Sequence, residues 1–343
     1  MVSQNWSRRT LAFVASLVFL MGLIPSPAAA QFAVTNLVSN QAGKAKHRDK
    51  ELVNAWGMSF FPGGPFWISD NGTGVTTFYD SKGNKDGQVT VAPSCSTAPD
   101  CVTGQVANGT KDFVVSQGGN SGPAAFIFAT FEPGTISGWN PKVNANSSVV
   151  VVNANAWYTG LAMGVNNGAN FLFGADNLNN KVDIYDGTFK LVGSFTDTKL
   201  TGLSVYNVQN INGKLYVTFT DSIPGTKGAV DIFTTAGKLV KTLTRSKALV
   251  GPWGVAQAPK NFGPASNELL IGNVGNGWIN AFNPKTKTLT PLKNASGKPI
   301  KIDLLWAIAF GQGGGMNGNP NQLFFTAGPN GYANGLFGVI NFK

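Results

Sequence analysis

Five aromatic residues fall at matching places along this chain: Trp56, Tyr158, Tyr206, Trp253 and Trp306. Asn54, Asn207 and Gln209 lie beside them. Aromatic faces supply apolar area with a polar handle, and carboxamides both donate and accept, so together they suit a sugar or an aromatic ligand. Equally, large aromatics at such places can wedge into a core. A second matching set holds Asp70-Asn71, Asp176-Asn177, Thr220-Asp221 and Gly272-Asn273. Asp70, Asp176 and Asp221 at one level of a ring could offer oxygens to Ca²⁺, which takes six to eight of them, whereas Asp and Asn at strand ends also cap turns. His47, the one histidine, sits among Lys46, Arg48 and Asp49 in a polar segment, so no Ser-His-Asp arrangement is evident and a solvated loop histidine is expected. Glycine clusters such as Gly118-Gly-Asn-Ser-Gly lack the Lys-Ser/Thr of a phosphate loop and read as turns.

What positions these residues is a repeat. Its first copy runs Trp56-Gly-Met-Ser-Phe, Phe66-Trp-Ile-Ser-Asp, Val75-Thr-Thr-Phe-Tyr-Asp and Gln88-Val-Thr-Val, with Gly-rich turns between: four strands up and down. Copies return at Thr159-Gly-Leu-Ala, from Asn207 through Lys214-Leu-Tyr-Val, at Trp253-Gly-Val-Ala and at Trp306-Ala-Ile-Ala. A weaker copy begins at Thr103-Gly-Gln-Val and carries an insertion from about Lys111 to Ser121. Six copies predict an all-β, six-bladed β-propeller of four-stranded antiparallel blades. The first strand of each copy is small and apolar on both faces, as an innermost strand must be. The third alternates, Val182 and Ile184 against Asp183 and Tyr185, which suggests a place nearer the rim. The last copy is one strand short, and Phe32-Ala-Val-Thr-Asn-Leu-Val is expected to join it and close the ring. The aromatic set then rings one mouth of the channel, where propellers bind ligands.

Residues 1–30 read as a secretory signal peptide: Arg8 and Arg9, an apolar run from Leu11 to Ile24, then Ala28-Ala-Ala. Residues 31–343 follow as a single domain without a membrane span, secreted to the periplasm or medium. Cys95 and Cys101, with five residues between them, suit a local disulfide in that compartment. The formal charge of +10 comes from lysines scattered through turns, which argues against nucleic acid as a partner. A monomer is expected.

Leu52-Val-Asn-Ala-Trp-Gly, Ser121-Gly-Pro-Ala-Ala-Phe-Ile-Phe-Ala-Thr, Gly134-Thr-Ile-Ser-Gly-Trp-Asn-Pro, Pro252-Trp-Gly, Ile279-Asn-Ala-Phe-Asn-Pro and Leu304-Leu-Trp-Ala-Ile-Ala-Phe-Gly resemble a bacterial family of secreted conserved hypothetical proteins found among carriers of a PEP-CTERM sorting tail. The resemblance implies a propeller akin to NHL-repeat proteins and brings no established activity. The chain ends at Lys343 without that tail, so release is expected over membrane retention. Against six-bladed lactonases of the gluconolactonase kind, Asn54 falls near the metal-ligand Glu and Asn207 on an Asn ligand, but Trp253 stands where the ligand Asp belongs. Two amides without that carboxylate hold a dication poorly. The leading expectation is therefore a non-enzymatic propeller binding a carbohydrate, envelope component or protein partner at the aromatic mouth. A metal-dependent hydrolase, lactonase or lyase is the alternative; no cofactor is firmly implied, with Ca²⁺ the candidate.

Overall fold

The computed structural model describes Met1, residues 31–95 and residues 101–343. The expected signal peptide lies outside the described residues. Among those described, no helix is long and apolar enough to cross a membrane.

Short Val-, Ile-, Phe- and Thr-rich runs between glycine turns form strands, and the strands form six four-stranded antiparallel blades in a ring. Blade 1 is Ala55–Ser59, Phe66–Asp70, Val75–Tyr79 and Lys85–Thr90. Blade 2 is Val102–Ala107, Phe126–Thr130, Thr135–Trp139 and Val149–Asn153, and its insertion folds as a hairpin of Val114–Gln117 with Asn120–Pro123. Blades 3, 4 and 5 begin with Tyr158–Asn166, Ser204–Ile211 and Pro252–Gln257 and proceed outward strand by strand. Blade 6 is Leu305–Phe310, Leu323–Ala327 and Leu336–Phe342, with Phe32–Ser39 antiparallel to the last of these. The inner strand of blade 6 packs against that of blade 1.

The core lies between blades, in layers of buried aliphatic and aromatic side chains such as Ile127, Leu172 and Tyr185 between blades 2 and 3. The third strand is not a rim strand. Val182, Asp183 and Tyr185 are all buried, and the corresponding Thr77, Ser137, Asp231 and Asn280 are buried polar residues in their own blades. The fourth strand is the exposed one, as at Leu191–Phe195. The alternation read from the sequence thus separates two buried faces, one apolar and one polar.

Inner strands approach closely one residue after their first shared position, where the chain carries Gly57, Gly104, Gly160, Asn207, Gly254 and Ala307. A Cβ on Gly57 would lie 2.3 Å from the backbone oxygen of Thr103 on the next blade, and one on Gly104 would lie 2.5 Å from the Leu161 nitrogen. Side chains then tie blade to blade. The Thr103 hydroxyl donates to Tyr158 O (2.6 Å), Asn177 Nδ2 to Val205 O (2.8 Å), Asn207 Nδ2 to Trp253 O (2.9 Å) and the Thr326 hydroxyl to Trp56 O (2.5 Å). Each occupies a backbone acceptor that faces a neighbouring blade, away from water.

Gly57→Ala should therefore cost about 1–3 kcal/mol of stability by overpacking against rigid backbone. Gly193→Ala, on the exposed outer strand of blade 3 with Ile184 Cδ1 its nearest neighbour at 3.9 Å, should stay within about 0.5 kcal/mol of the parent. Urea unfolding of the two variants checks the contrast.

Candidate functional site

The inner strands begin at one face of the ring, here called the entry face, and end at the other, the exit face. Three of them are entered through a left-handed residue two positions before the aromatic: Asn54 (φ 46°), Gly251 (φ 63°) and Leu304 (φ 48°). For Asn54 the conformation is tied down by its side chain. Its Nδ2 donates to Asn71 Oδ1 (2.9 Å), and its Oδ1 accepts from Trp306 Nε1 (2.9 Å).

Trp56, Tyr206, Trp253 and Trp306 come together on the channel axis. They are buried, 1%, 0%, 4% and 0% exposed, so their faces meet one another and the entry side carries a plug instead of an open aromatic funnel. Trp56 and Trp306 stack with centroids 3.7 Å apart, and Tyr206 and Trp253 meet Trp306 edge-on at 6.1 and 5.9 Å. Trp253 Nε1 donates to Thr159 O at 2.9 Å, a bond from blade 5 to blade 3 that passes over blade 4 through the channel interior.

Tyr158 does not join them. Its residue-by-residue counterpart is Thr159, followed by Gly160 as Trp56 is followed by Gly57, so the side chain of Tyr158 points away from the axis into the layer between blades 2 and 3. There its hydroxyl donates to Asp183 Oδ2 (2.8 Å) and shares a 2.5 Å hydrogen bond with the Tyr185 hydroxyl, while Lys181 Nζ lies 2.8 Å from Asp183 Oδ1.

Beyond the plug, toward the exit face, the channel widens into a cavity of about 440 Å³. Asn207, Gln209 and Trp253 line it, together with Gln105, Asn210, Gln257 and Gln312, the methionines Met58 and Met163, and Phe60 and Phe310. No carboxylate, imidazole, thiol, amine or guanidinium is among the described residues that line it. Several carboxamides are partly used: Asn210 Nδ2 donates to Met163 O (2.7 Å), and Gln105 Nε2 donates to Gly57 O (3.1 Å) and Trp67 O (2.9 Å). Gln105 Oε1 and Ser59 Oγ are buried in the cavity wall without a partner among the described residues. Gln105 and Gln209 follow the first shared strand position by two and three residues, and Asn210 and Gln257 by four, so spacing down the aligned strands would have located these four.

Asp70, Asp176 and Asp221 stand apart, each engaged in its own blade. Asp70 Oδ2 accepts from the Thr77 hydroxyl (2.7 Å), and burial pushes its carboxyl well above the usual carboxylate range. Asp176 accepts from the Asn179 side chain (2.6 Å) and from the backbone N–H groups of Trp157 and Asn179 (3.2 Å each), with burial raising its pKa. Burial works to raise that of Asp221 too, but hydrogen bonds from Thr226 and the Lys227 amide hold it down at about 2. Among the described residues, no three metal-ligating side chains gather at one point. Cys95 and Cys101 form a disulfide.

No protein-family model matches the chain. It is similar to two uncharacterised proteins of Acanthamoeba polyphaga mimivirus. One is 29% identical over 338 residues, 92% of this chain and 82% of that protein; the other is 28% identical over 337 residues, 92% and 87%. Among solved structures, virginiamycin B lyase from Staphylococcus aureus superposes with a TM-score of 0.52 at 12% identity, covering 92% of this chain and all of that one. The soluble aldose sugar dehydrogenase from Escherichia coli superposes with a TM-score of 0.55 at 12% identity, covering 91% of this chain and all of that one. At such identity these structures share the fold alone.

A strongly perturbed carboxyl outside the cavity is Asp231, buried on the third strand of blade 4, Gly228–Thr234. Burial, then the neighbouring Asp197 carboxyl, push it up to about 7, with Thr242 and Arg245 pulling the other way. A carboxyl raised when folded keeps its proton there while the unfolded chain has already lost it, so folding stability declines as pH climbs from about 4 to about 7. Asp231→Asn should remove that decline and be the more stable protein at pH 8, as read from urea midpoints across the range.

Proposed function

We propose that this chain is an exported, non-enzymatic binding propeller, as its resemblance to secreted bacterial proteins implies, and that it takes a small uncharged, hydroxyl-bearing ligand in the exit-face cavity. The observation that carries the reading is the lining. Among the described residues, carboxamides, methionines, aliphatics and aromatics form a wall without an ionisable group, in a cavity of about 440 Å³ that suits a small ligand or the end of a longer one. Carboxamides offer both donors and acceptors to hydroxyl groups, and Trp253, Phe60 and Phe310 offer apolar surface to a ring. General acid–base catalysis needs a titratable group within hydrogen-bond reach of the reacting atom, and this lining provides none. The lyase and the sugar dehydrogenase share the fold alone, so both the place and the chemistry of the site are read from this lining.

Gln209 is the side chain to test. It reaches the cavity, and its carboxamide makes no hydrogen bond among the described residues, so its loss should not disturb folding. Neutral glycans immobilised on an array, then measured by calorimetry, should show binding that Gln209→Ala weakens about tenfold, equivalent to about 1.4 kcal/mol, with an unchanged melting temperature. Retention confined to acidic glycans, or affinity untouched by the substitution, would overturn the reading.

A further inference from the structure

On the opposite side of the plug, a row of aromatic rings crosses the entry face. Trp157 stacks on Phe131 (centroids 5.1 Å), Phe131 meets Trp56 (6.3 Å), Trp56 stacks on Trp306 (3.7 Å) and Trp306 lies against Tyr332 (6.1 Å). The two ends of the row, Trp157 and Tyr332, are half-buried, and the middle is buried. Three polar atoms of this cluster are buried with no hydrogen-bond partner among the described residues: Trp56 Nε1, the Tyr206 hydroxyl and the Tyr332 hydroxyl. Tyr206 is fully buried, and burial, with the neighbouring Tyr332 phenol, pushes its hydroxyl well above the usual phenol range. Most buried polar groups in folded proteins are satisfied, so three orphans in one cluster call for an occupant that supplies the missing partners.

Tyr332, which lies against Trp306 and beside Tyr206, is held in an unusual conformation. Asn330, Gly331 and Tyr332 are consecutive left-handed residues, with φ of 60°, 61° and 72°. For a bulky aromatic residue such a φ is an outlier that persists where surrounding contacts impose it. Here the loop is pinned by Tyr332 N to Gly328 O (3.0 Å), Asn334 N to Pro329 O (3.1 Å) and Asn330 N to Asp303 Oδ2 (2.9 Å). Strain and an unmet hydroxyl thus fall on the same side chain, which can leave the cluster without breaking a side-chain hydrogen bond among the described residues.

We propose that the entry face carries a second ligand site, in which Tyr332, lying over Trp306 and beside Tyr206, gives way to the hydroxyl groups of a neutral saccharide. The indole N–H donates and a phenol both donates and accepts; a sugar hydroxyl answers both, while its C–H face suits the stacked rings. The site is separate from the exit-face cavity and does not depend on it.

The test is tryptophan fluorescence of the full chain titrated with chitotriose, cellotriose and maltotriose, beside melting temperatures. At least one trisaccharide should shift the emission, and Tyr206→Phe and Trp56→Phe should each weaken that response about tenfold. Tyr206→Phe should hold or raise the melting temperature of the ligand-free protein, because it deletes a buried hydroxyl that has no partner. Gln209→Ala should leave intact the part of the response that Tyr206→Phe removes, which separates this site from binding in the cavity. The proposal is overturned if Tyr206→Phe binds normally, if Gln209→Ala alone abolishes the response, or if tetramethylammonium shifts the emission where the trisaccharides do not. It is equally overturned if a crystal structure shows one water satisfying all three atoms and undisturbed by saccharide.

Discussion

Everything about the channel depends on how near the inner strands come to one another. At the position of Gly57, Gly104, Gly160 and Gly254 there is no room for a Cβ, because the neighbouring blade's backbone or side chain occupies that space. Where the position is not glycine, it either stays small, as at Ala307, or is put to use. Asn207 sends its amide to Trp253 O on the next blade, and its Oδ1 would meet a Cβ on Gly160 at 2.0 Å. Close approach brings unpaired backbone groups face to face, and Thr103, Asn177, Asn207 and Thr326 satisfy acceptors at blade junctions. The ring is therefore fastened by directional bonds at its axis and by apolar layers farther out.

The same spacing decides what the axis holds. The residue just before the tight position points at the channel, and large aromatics in four of six blades fill it: Trp56, Tyr206, Trp253 and Trp306. Thr103 and Thr159 in the other two leave the space into which these rings fit, and Thr159 O receives the Trp253 indole. Past the tight position the lining turns to aliphatic side chains, methionines and carboxamides, with Phe60 and Phe310 among them, and the channel opens. A closed aromatic waist and an amide-lined basin are thus two consequences of one register.

The repeat made the fold legible because each blade writes its four strands in order, with glycine turns at the same places. The site was less legible, for two reasons. Tyr158 sits one residue before Thr159, and since neighbouring strand residues point to opposite sides, a one-residue difference in alignment sends a side chain from the channel to the layer between blades. Exposure is the second. Sequence spacing places Trp56 and Trp306 at the strand entry but cannot say whether they face solvent or each other; that is settled by the 3.7 Å stack. Tyr332 belongs to no repeated position and becomes visible once its loop is seen folded over Trp306.

Chemistry and architecture part company here. The scaffold is shared at low identity with a lyase and a dehydrogenase, so the ring itself selects no reaction. The most perturbed carboxyls, Asp70 and Asp231, are spent inside blades, where burial keeps them from being exchangeable acids at a solvent-accessible site. What the cavity presents, among the described residues, is amide, aliphatic and aromatic surface, and the proposed ligand is chosen to match it: uncharged groups for the carboxamides and a ring for the apolar wall.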